Sequence, residues 1–215
     1  MRDNRKNYTI SEEQEKKIKT MIEYNIINVI SLEHRELRLQ QFHEESKQQG
    51  FGYRVWPGII CRGNNKQGIN LAHRQIVQYA KDNNLPYVCI AEDDCRFFAP
   101  GAWKYFLEKK PDDFDIYFSM YYACDTMVKD RIMDVFSGMT MYIVSQRFYD
   151  VFLSAPNDCH IDREMLGPIA KNYLFMVCDQ VVCEQDGSRS DNTQTSMNYR
   201  PFLKGRKIFG DIPMD

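Results

Sequence analysis

Glu92-Asp93-Asp94 sets three carboxylates in a row directly behind an apolar run, Tyr87-Val88-Cys89-Ile90-Ala91. Acidic groups this close repel one another, and burial at a strand end raises their pKa values unless a cation balances them. Hard divalent cations take carboxylate oxygens together with substrate phosphates, so Mg2+ or Mn2+ suits such a box. Open α/β sheets bind ligands beyond the carboxyl ends of their strands, where this box falls. The competing reading is an acidic turn left in water. Side chains two apart in an extended stretch point the same way, which pairs Glu92 with Asp94. Asp94 is then the expected direct metal ligand with Glu92 beside it, and Asp93 the expected partner of a ribose or of the ligands themselves.

Other polar residues have two readings each. His73 lies three and four residues before Ile76 and Val77, on one helical face with them. It is either a core histidine or, with a helix N-terminus, a neighbour of a nucleotide diphosphate. Arg35 and Arg38 either grip phosphate or base edges or form a solvated helix face. Tyr53, Trp56 and the group Tyr117, Phe118, Tyr121 and Tyr122 either pack in the core or offer stacking faces to a base or sugar. His160 and Asp162 flank Ile161. One of them is a candidate third metal ligand or catalytic base, and the alternative for Asp162 is a helix cap before Arg163-Glu164-Met165.

The elements that must position these residues alternate in type. Ile26 to Leu32 reads as a buried strand, 35–49 as a polar helix stopped by Gly50 and Gly52, and 53–56 as a short strand closed by Pro57-Gly58. Cys61 to Gly68 reads as a polar loop, and a helix is expected from Leu71 to about Asn83 with Asn70 as its cap. After the strand 87–91 come a helix at 101–109, strands at 115–120 and 139–144, a helix at 146–153, and strands at 173–178 and 181–184. Strands alternating with helices predict an α/β sandwich with a mainly parallel sheet. Residues 1–25 read as an N-terminal helical extension, opened by Ser11 and Gln14 as a capping box. Residues 193–215 read as a loop-rich tail.

Composition narrows the classes. The 215 residues carry 28 basic and 30 acidic side chains, a net charge of −2, against the basic face that sequence-independent nucleic-acid binding needs. No apolar run approaches the ~20 residues of a membrane helix. The start MRDNRKNYTISEEQEKK has no apolar signal-like stretch. Seven cysteines, an odd number, with no C-x-x-C pair, predict reduced and mostly buried thiols rather than zinc. A cytoplasmic protein, at most peripheral to a membrane, is expected.

The motif order resembles glycosyltransferase family 25, which includes lipooligosaccharide and collagen galactosyltransferases. Gly68-Ile69-Asn70-Leu71-Ala72-His73, then a helix, an apolar strand and Glu92-Asp93-Asp94 is similar to the family's Gly, Ser-His and Glu-Asp-Asp pattern, with Ala72 where the Ser stands. Asn28 to Leu32 followed by Arg35 and Arg38 is similar to its opening strand. Pro111 to Ile116 resembles its stretch before a strand, and Ser137 to Tyr142 its Gly-Thr/Ala-x-x-Tyr strand, with Met139 between Gly and Thr. His160-Ile161-Asp162 resembles its downstream Asp element, and Gln185 to Ser190-Asp191 its closing Gln…Ser-Asp. The likeness covers residues 26–192. It implies a single GT-A-like domain there, a UDP-sugar donor and Mn2+ or Mg2+. Ser31, Arg35, Arg38, His73, Asp93, Gly138, Ser190 and Asp191 are the implied cofactor-binding residues, Asp94, Glu92 and His160 the metal set, and Asp162 with His160 the catalytic pair. The implied reaction is an inverting transfer of a hexose, galactose, to a hydroxyl of a glycan, lipid-linked or protein acceptor. Three rivals stand beside it: a metal-dependent nucleotidyl- or phosphotransferase, a non-catalytic nucleotide-sugar-binding module, and a structural interaction domain.

Overall fold

The computed structural model describes residues 26–188 and 195–210. The helix expected within residues 1–25, and the site candidates Ser190 and Asp191, lie outside the described residues.

Strand β1 (Ile26–Ser31) is β-branched and apolar, and it takes the centre of a parallel trio with β2 (Gly52–Pro57) and β3 (Tyr87–Glu92). Helix α1 (Glu36–Gln49) joins β1 to β2 and ends at Gly50, whose φ of +73° suits a residue without Cβ. Helix α2 (Asn65–Asp82) joins β2 to β3. It begins earlier than the sequence pattern indicates. Asn64, not Asn70, is the cap: its side chain accepts the Gln67 N–H at 3.2 Å inside what reads as a polar loop. Asn70 and His73 therefore sit inside α2 rather than at its start, which removes the helix N-terminus from beside His73.

After β3 the chain makes β4 (Cys95–Phe97), α3 (Ala102–Glu108) and β5 (Ile116–Phe118). Four two-residue strands follow: β6 (Ala123–Cys124), β7 (Met127–Val128), β8 (Arg131–Ile132) and β9 (Phe136–Ser137). Strand β10 (Met141–Ser145) leads through a 3-10 turn into α4 (Tyr149–Ser154). A π-helical segment Ile161–Leu166 and a 3-10 segment Gly167–Asn172 precede β11 (Phe175–Val177) and β12 (Cys183–Gln185). The main sheet runs β2-β1-β3-β10-β5-β11-β8-β7. Strand β10 is antiparallel to both neighbours, β3 and β5, and β8 is antiparallel to β11 and β7. All other strands of the sheet point one way, as the alternating pattern predicts for a mainly parallel α/β sheet.

Core packing explains why the central strands read as unbroken apolar runs: both of their faces are covered. Cys89 and Ala91 of β3 face one layer with Phe42, Trp103 and Phe106. Val88 and Ile90 face the other with Ile76, Val77, Tyr142 and Phe152. Phe106 stacks on Tyr117 with ring centroids 4.5 Å apart and planes 7° apart. Truncating a buried aromatic such as Phe106 to alanine costs about 3–5 kcal/mol.

Candidate active site

Strands β1, β2, β3, β5 and β11 all end on one side of the sheet, and the acidic box stands at that edge. The Glu92 N–H still pairs with Thr140 O of the segment entering β10 at 2.9 Å, and the Asp93 N–H with Ile30 O of β1 at 3.1 Å. The chain then turns, so Asp93 and Asp94 are not extended as the alternation argument assumed. The pairing it predicted nevertheless forms, because Gln185 of β12 reaches across. Its Nε2 donates to Asp94 Oδ2 at 2.9 Å and to Glu92 Oε2 at 3.3 Å. Asp93 turns away to β1, where it accepts the Ser31 hydroxyl at 2.7 Å. Arg38 of α1 closes the group, its Nη1 lying 3.3 Å from Asp93 Oδ1 and 3.1 Å from Asp94 Oδ2.

The electrostatics follow from burial. Desolvation, then the charges of Asp93 and Asp162, push the Glu92 carboxyl up to about 7. Its side chain keeps 30% exposure, on the surface where the two cavities meet. Asp94 is raised well above the ordinary carboxylate range by burial and by Glu92. Burial also raises Asp93, against the pull of Ser31 and Arg38.

Helix α2 supplies the wall behind the box. His73 is 2% exposed, with Nδ1 2.7 Å from the Tyr142 hydroxyl and Nε2 3.6 Å from Glu92 Oε1. Burial holds its pKa down to about 4, so at neutral pH the ring is uncharged. One turn away, Asn70 and Arg74 of α2 fasten the following loop. Asn70 Nδ2 donates to Cys159 O, Asn70 Oδ1 accepts from Arg74 Nε at 2.7 Å, and Arg74 donates to the carbonyls of Leu153, Ala155 and Pro156. That loop delivers His160 and Asp162 to the site. Asp162 Oδ2 accepts the Gly138 N–H at 3.1 Å, and Oδ1 accepts the Arg163 N–H at 2.8 Å. Gly138 has φ of +112°, and a Cβ there would stand 3.1 Å from Tyr122 N, so glycine is required.

Two cavities meet at Ile69, His73, Glu92 and Gln185. The smaller, about 120 Å3, lies over β1 and α1 and has Leu32, Arg35, Arg38, Ile59, Asp93 and Asp94 in its walls. The larger, about 390 Å3, lies over β10 and holds Gly138, His160 and Asp162. The structure thus brings Ser31, Arg35, Arg38, His73, Asp93, Asp94 and Glu92 around one junction, and places Gly138 with Asp162 on the far side of it.

Among the described residues no three His, Cys, Asp or Glu side chains converge to hold a metal alone. The expected set of Glu92, Asp94 and His160 does not converge as a trio there. His160 stands at the start of the π-helical segment, where its N–H donates to Glu164 Oε2 at 2.8 Å. Glu92 and Asp94 fit a divalent cation on other grounds. Asp94 Oδ1 is buried with no hydrogen-bond partner among the described residues, an open acceptor beside a second carboxylate. Mg2+ in phosphate-handling sites is held by one or two carboxylates plus substrate oxygens, and Glu92 and Asp94 are two carboxylates so placed.

Gln185, Asn70 and Arg74 are the residues that sequence reasoning missed as contributors. Gln185 carries a signal only as the first member of the Gln…Ser-Asp closing element. Asn70 and Arg74 carry an i, i+4 polar pair on an otherwise apolar helix face.

Comparison with solved structures places the fold. A Drosophila β1,4-galactosyltransferase 7 variant, solved with manganese, UDP-Gal and xylobiose, aligns with a TM-score of 0.50 and 13% identity over 85% of this chain and 80% of that one. A glycosyltransferase involved in glycosylation of the PBCV-1 major capsid aligns at 0.41 with 8% identity, over 59% of this chain and 62% of its own. A197 from STIV aligns at 0.45 with 9% identity, over 71% and 80%. The first of these shows a GT-A-like α/β fold. No family model and no curated protein matches this sequence, so the likeness to family 25 rests on motif order alone.

Proposed function

We propose that this chain is a metal-dependent glycosyltransferase that moves a hexose, galactose, from a UDP-sugar to a hydroxyl acceptor with inversion. One observation carries the reading. Two carboxylates stand side by side at the strand ends, under a cavity junction, and one of them keeps a buried oxygen without a partner. The galactose donor and the inverting course rest on the family-25 likeness. Glu92 and Asp94 would hold Mn2+ or Mg2+, which supplies neutralisation of the diphosphate as it leaves.

The chain's own residues account for the rest. The apolar side chains Leu32 and Ile59 offer a slot for the base, and Asp93 and Ser31 stand at its end for the ribose. Arg35 and Arg38 line the same cavity and meet phosphate oxygens. Neutral His73 holds the wall between donor and acceptor sides without adding charge. Asp162 is the base that takes the acceptor's proton. The two main-chain N–H groups on its oxygens fix its orientation in the larger cavity. All seven cysteines are free, which suits a reducing, cytoplasmic setting.

Calorimetry with UDP and Mn2+ tests the reading. Wild-type protein should bind UDP only with the metal, and Asp94→Asn should lose that dependence while remaining folded. Unchanged metal-dependent binding in Asp94→Asn sinks the assignment. Release of pyrophosphate instead of UDP during turnover moves the chain to the nucleotidyltransferases. UDP binding with no hydrolysis or transfer makes it a binding module.

A further inference from the structure

The larger cavity has two unlike walls. One is polar, with Glu92, Thr140, His160 and Asp162. The other is apolar and aromatic, with Tyr122, Met197, Tyr199 and Phe202. Three members of the apolar wall come from residues 195–210, beyond the stretch whose motifs resemble a glycosyltransferase. Met197 is 41% exposed and Phe202 45%, large apolar side chains held in water at a cavity mouth.

This wall is fastened in place. Tyr199 stacks on Tyr122 with centroids 4.6 Å apart and planes 23° apart, and Phe202 stands edge-on to Tyr122 at 6.4 Å. Leu203 is fully buried beneath, and Ile208 pairs with Val181. The Arg206 guanidinium lies 3.4 Å from the centre of the Tyr121 ring and donates to Tyr122 O at 2.9 Å. Tyr122 in turn accepts the Gln185 N–H on its hydroxyl at 2.8 Å, and Gln185 is the residue that gathers Glu92 and Asp94. The aromatic wall and the acidic box are therefore built on one framework.

We propose that residues 195–210 form the acceptor subsite and that its occupant is a carbohydrate ring. A pyranose has a C–H face and a rim of hydroxyls, which matches a cavity lined by an aromatic cluster together with polar side chains. Its C–H face lies on Phe202 and Met197, and its hydroxyls turn to Asp162 and His160. A lipid chain fits this cavity less well, because Lys66, His160, Asp162 and Arg163 also line it. The nucleotide is assigned to the other cavity, whose lining includes Arg35 and Arg38 beside the box. This inference rests on the glycosyltransferase reading and assigns the acceptor side of the same site.

Saturation-transfer NMR with Mg2+ and UDP present, using cellobiose, xylobiose and octyl β-D-glucopyranoside as probes, tests it. The expected result is saturation of ring C–H protons in at least one probe. Phe202→Ala should weaken that binding about tenfold or more, and Phe202→Tyr should restore it. Calorimetry of UDP with Mg2+ on each variant serves as the control for fold and donor side. Saturation confined to the octyl chain overturns the proposal in favour of a lipid-linked aglycone on this wall. Sugar binding that Phe202→Ala leaves untouched overturns it as well. Protein that binds UDP but none of the sugars sinks the acceptor assignment alone, whereas protein that binds no UDP sinks the underlying reading.

Discussion

Arg38 Nη1 lies 3.1 Å from Asp94 Oδ2, so the protein lays a cation of its own against the box. The same nitrogen reaches Asp93 at 3.3 Å, and both carboxylates are buried. Removing one partner of a buried ionic group leaves the rest uncompensated, at a cost of about 3–5 kcal/mol. Arg38→Met should therefore melt well below wild type in metal-free buffer at pH 7.5. Added Mn2+ should recover part of the loss, because a divalent ion can take over the neutralisation. Thermal shift with and without Mn2+ checks both halves, and a variant that melts with wild type shows the pairing to be idle.

Asp162 can be separated from the box by kinetics. Asparagine can keep the Gly138 N–H by presenting its amide oxygen, so Asp162→Asn should fold normally. Loss of a general base lowers turnover by about 10²–10⁴-fold. The KM for donor and the metal-dependent affinity for UDP should hardly move. Near-wild-type turnover in Asp162→Asn would leave the residue with only its two main-chain hydrogen bonds. Loss of Mn2+ affinity would exchange its role with that of His160.

His73 gives a pH dependence with a definite sign. Its folded pKa is depressed to about 4, against 6.5 for the unexposed-to-partner reference, so between those values the unfolded chain binds the proton more readily. Stability from this group is complete above 6.5 and is lost as pH falls toward 4. Glu92 acts in the opposite sense. Its folded pKa is raised to about 7, so its contribution is present below 4.5 and fades as pH rises through 7. The two oppose each other in mildly acidic buffer, and comparison with His73→Gln isolates the first. Urea unfolding should show the gap between wild type and variant shrinking by about 2 kcal/mol from pH 7 to pH 5. An equal gap at both values would mean that His73 is not held neutral.

Thiol chemistry tests the packing. Cys61, Cys124 and Cys159 are partly exposed, and Cys89, Cys95, Cys178 and Cys183 are buried. Burial pushes the Cys178 thiol up to about 11 and raises those of Cys89 and Cys95 as well. A disulfide reagent should modify the first three readily in native protein and reach all seven only after denaturation without reductant. A native mass lower by two or more disulfides would contradict the structure.

The acidic box was legible in the sequence because its two signals are local. An apolar run of β-branched and small residues marks a strand buried on both faces, and three carboxylates directly after it mark where that strand meets solvent. Residue types and spacing alone do not tie the partners of the box to it, because they come from far along the chain; Ser31, Arg38 and Gln185 enter only through the motif order. Gln185, Ser31 and Arg38 approach from three different elements, and their contacts are set by sheet order rather than by spacing. The start of α2 was misplaced because Asn64 lies in a run, Cys61 to Gly68, whose residue types favour turns and caps alike. Strands β6 to β9 were invisible for a simpler reason: two residues carry no periodicity. The aromatic group Tyr117 to Tyr122 was divided as both readings allowed, with Tyr117 and Phe118 in the core and Tyr122 in a cavity wall.

Between β5 and β10, residues 119–140 make a detour out to the far edge of the sheet, where β7 and β8 pair beyond β11, before returning along the strand next to β5. Both ends of that detour are fastened at one height: Phe118 stands opposite Tyr142, and the Ser119 N–H meets Met141 O at 3.1 Å. The exposed turn at 128–130, between β7 and β8, can lengthen or shorten at little entropic cost and without shifting the register of β5 or β10. The detour also carries Tyr122, Ala123, Ser137 and Gly138 of the larger cavity. Under the glycosyltransferase reading proposed above, changes at the exposed positions of this segment alter the lining of the larger cavity while Glu92 and Asp94 keep their place at the end of β3.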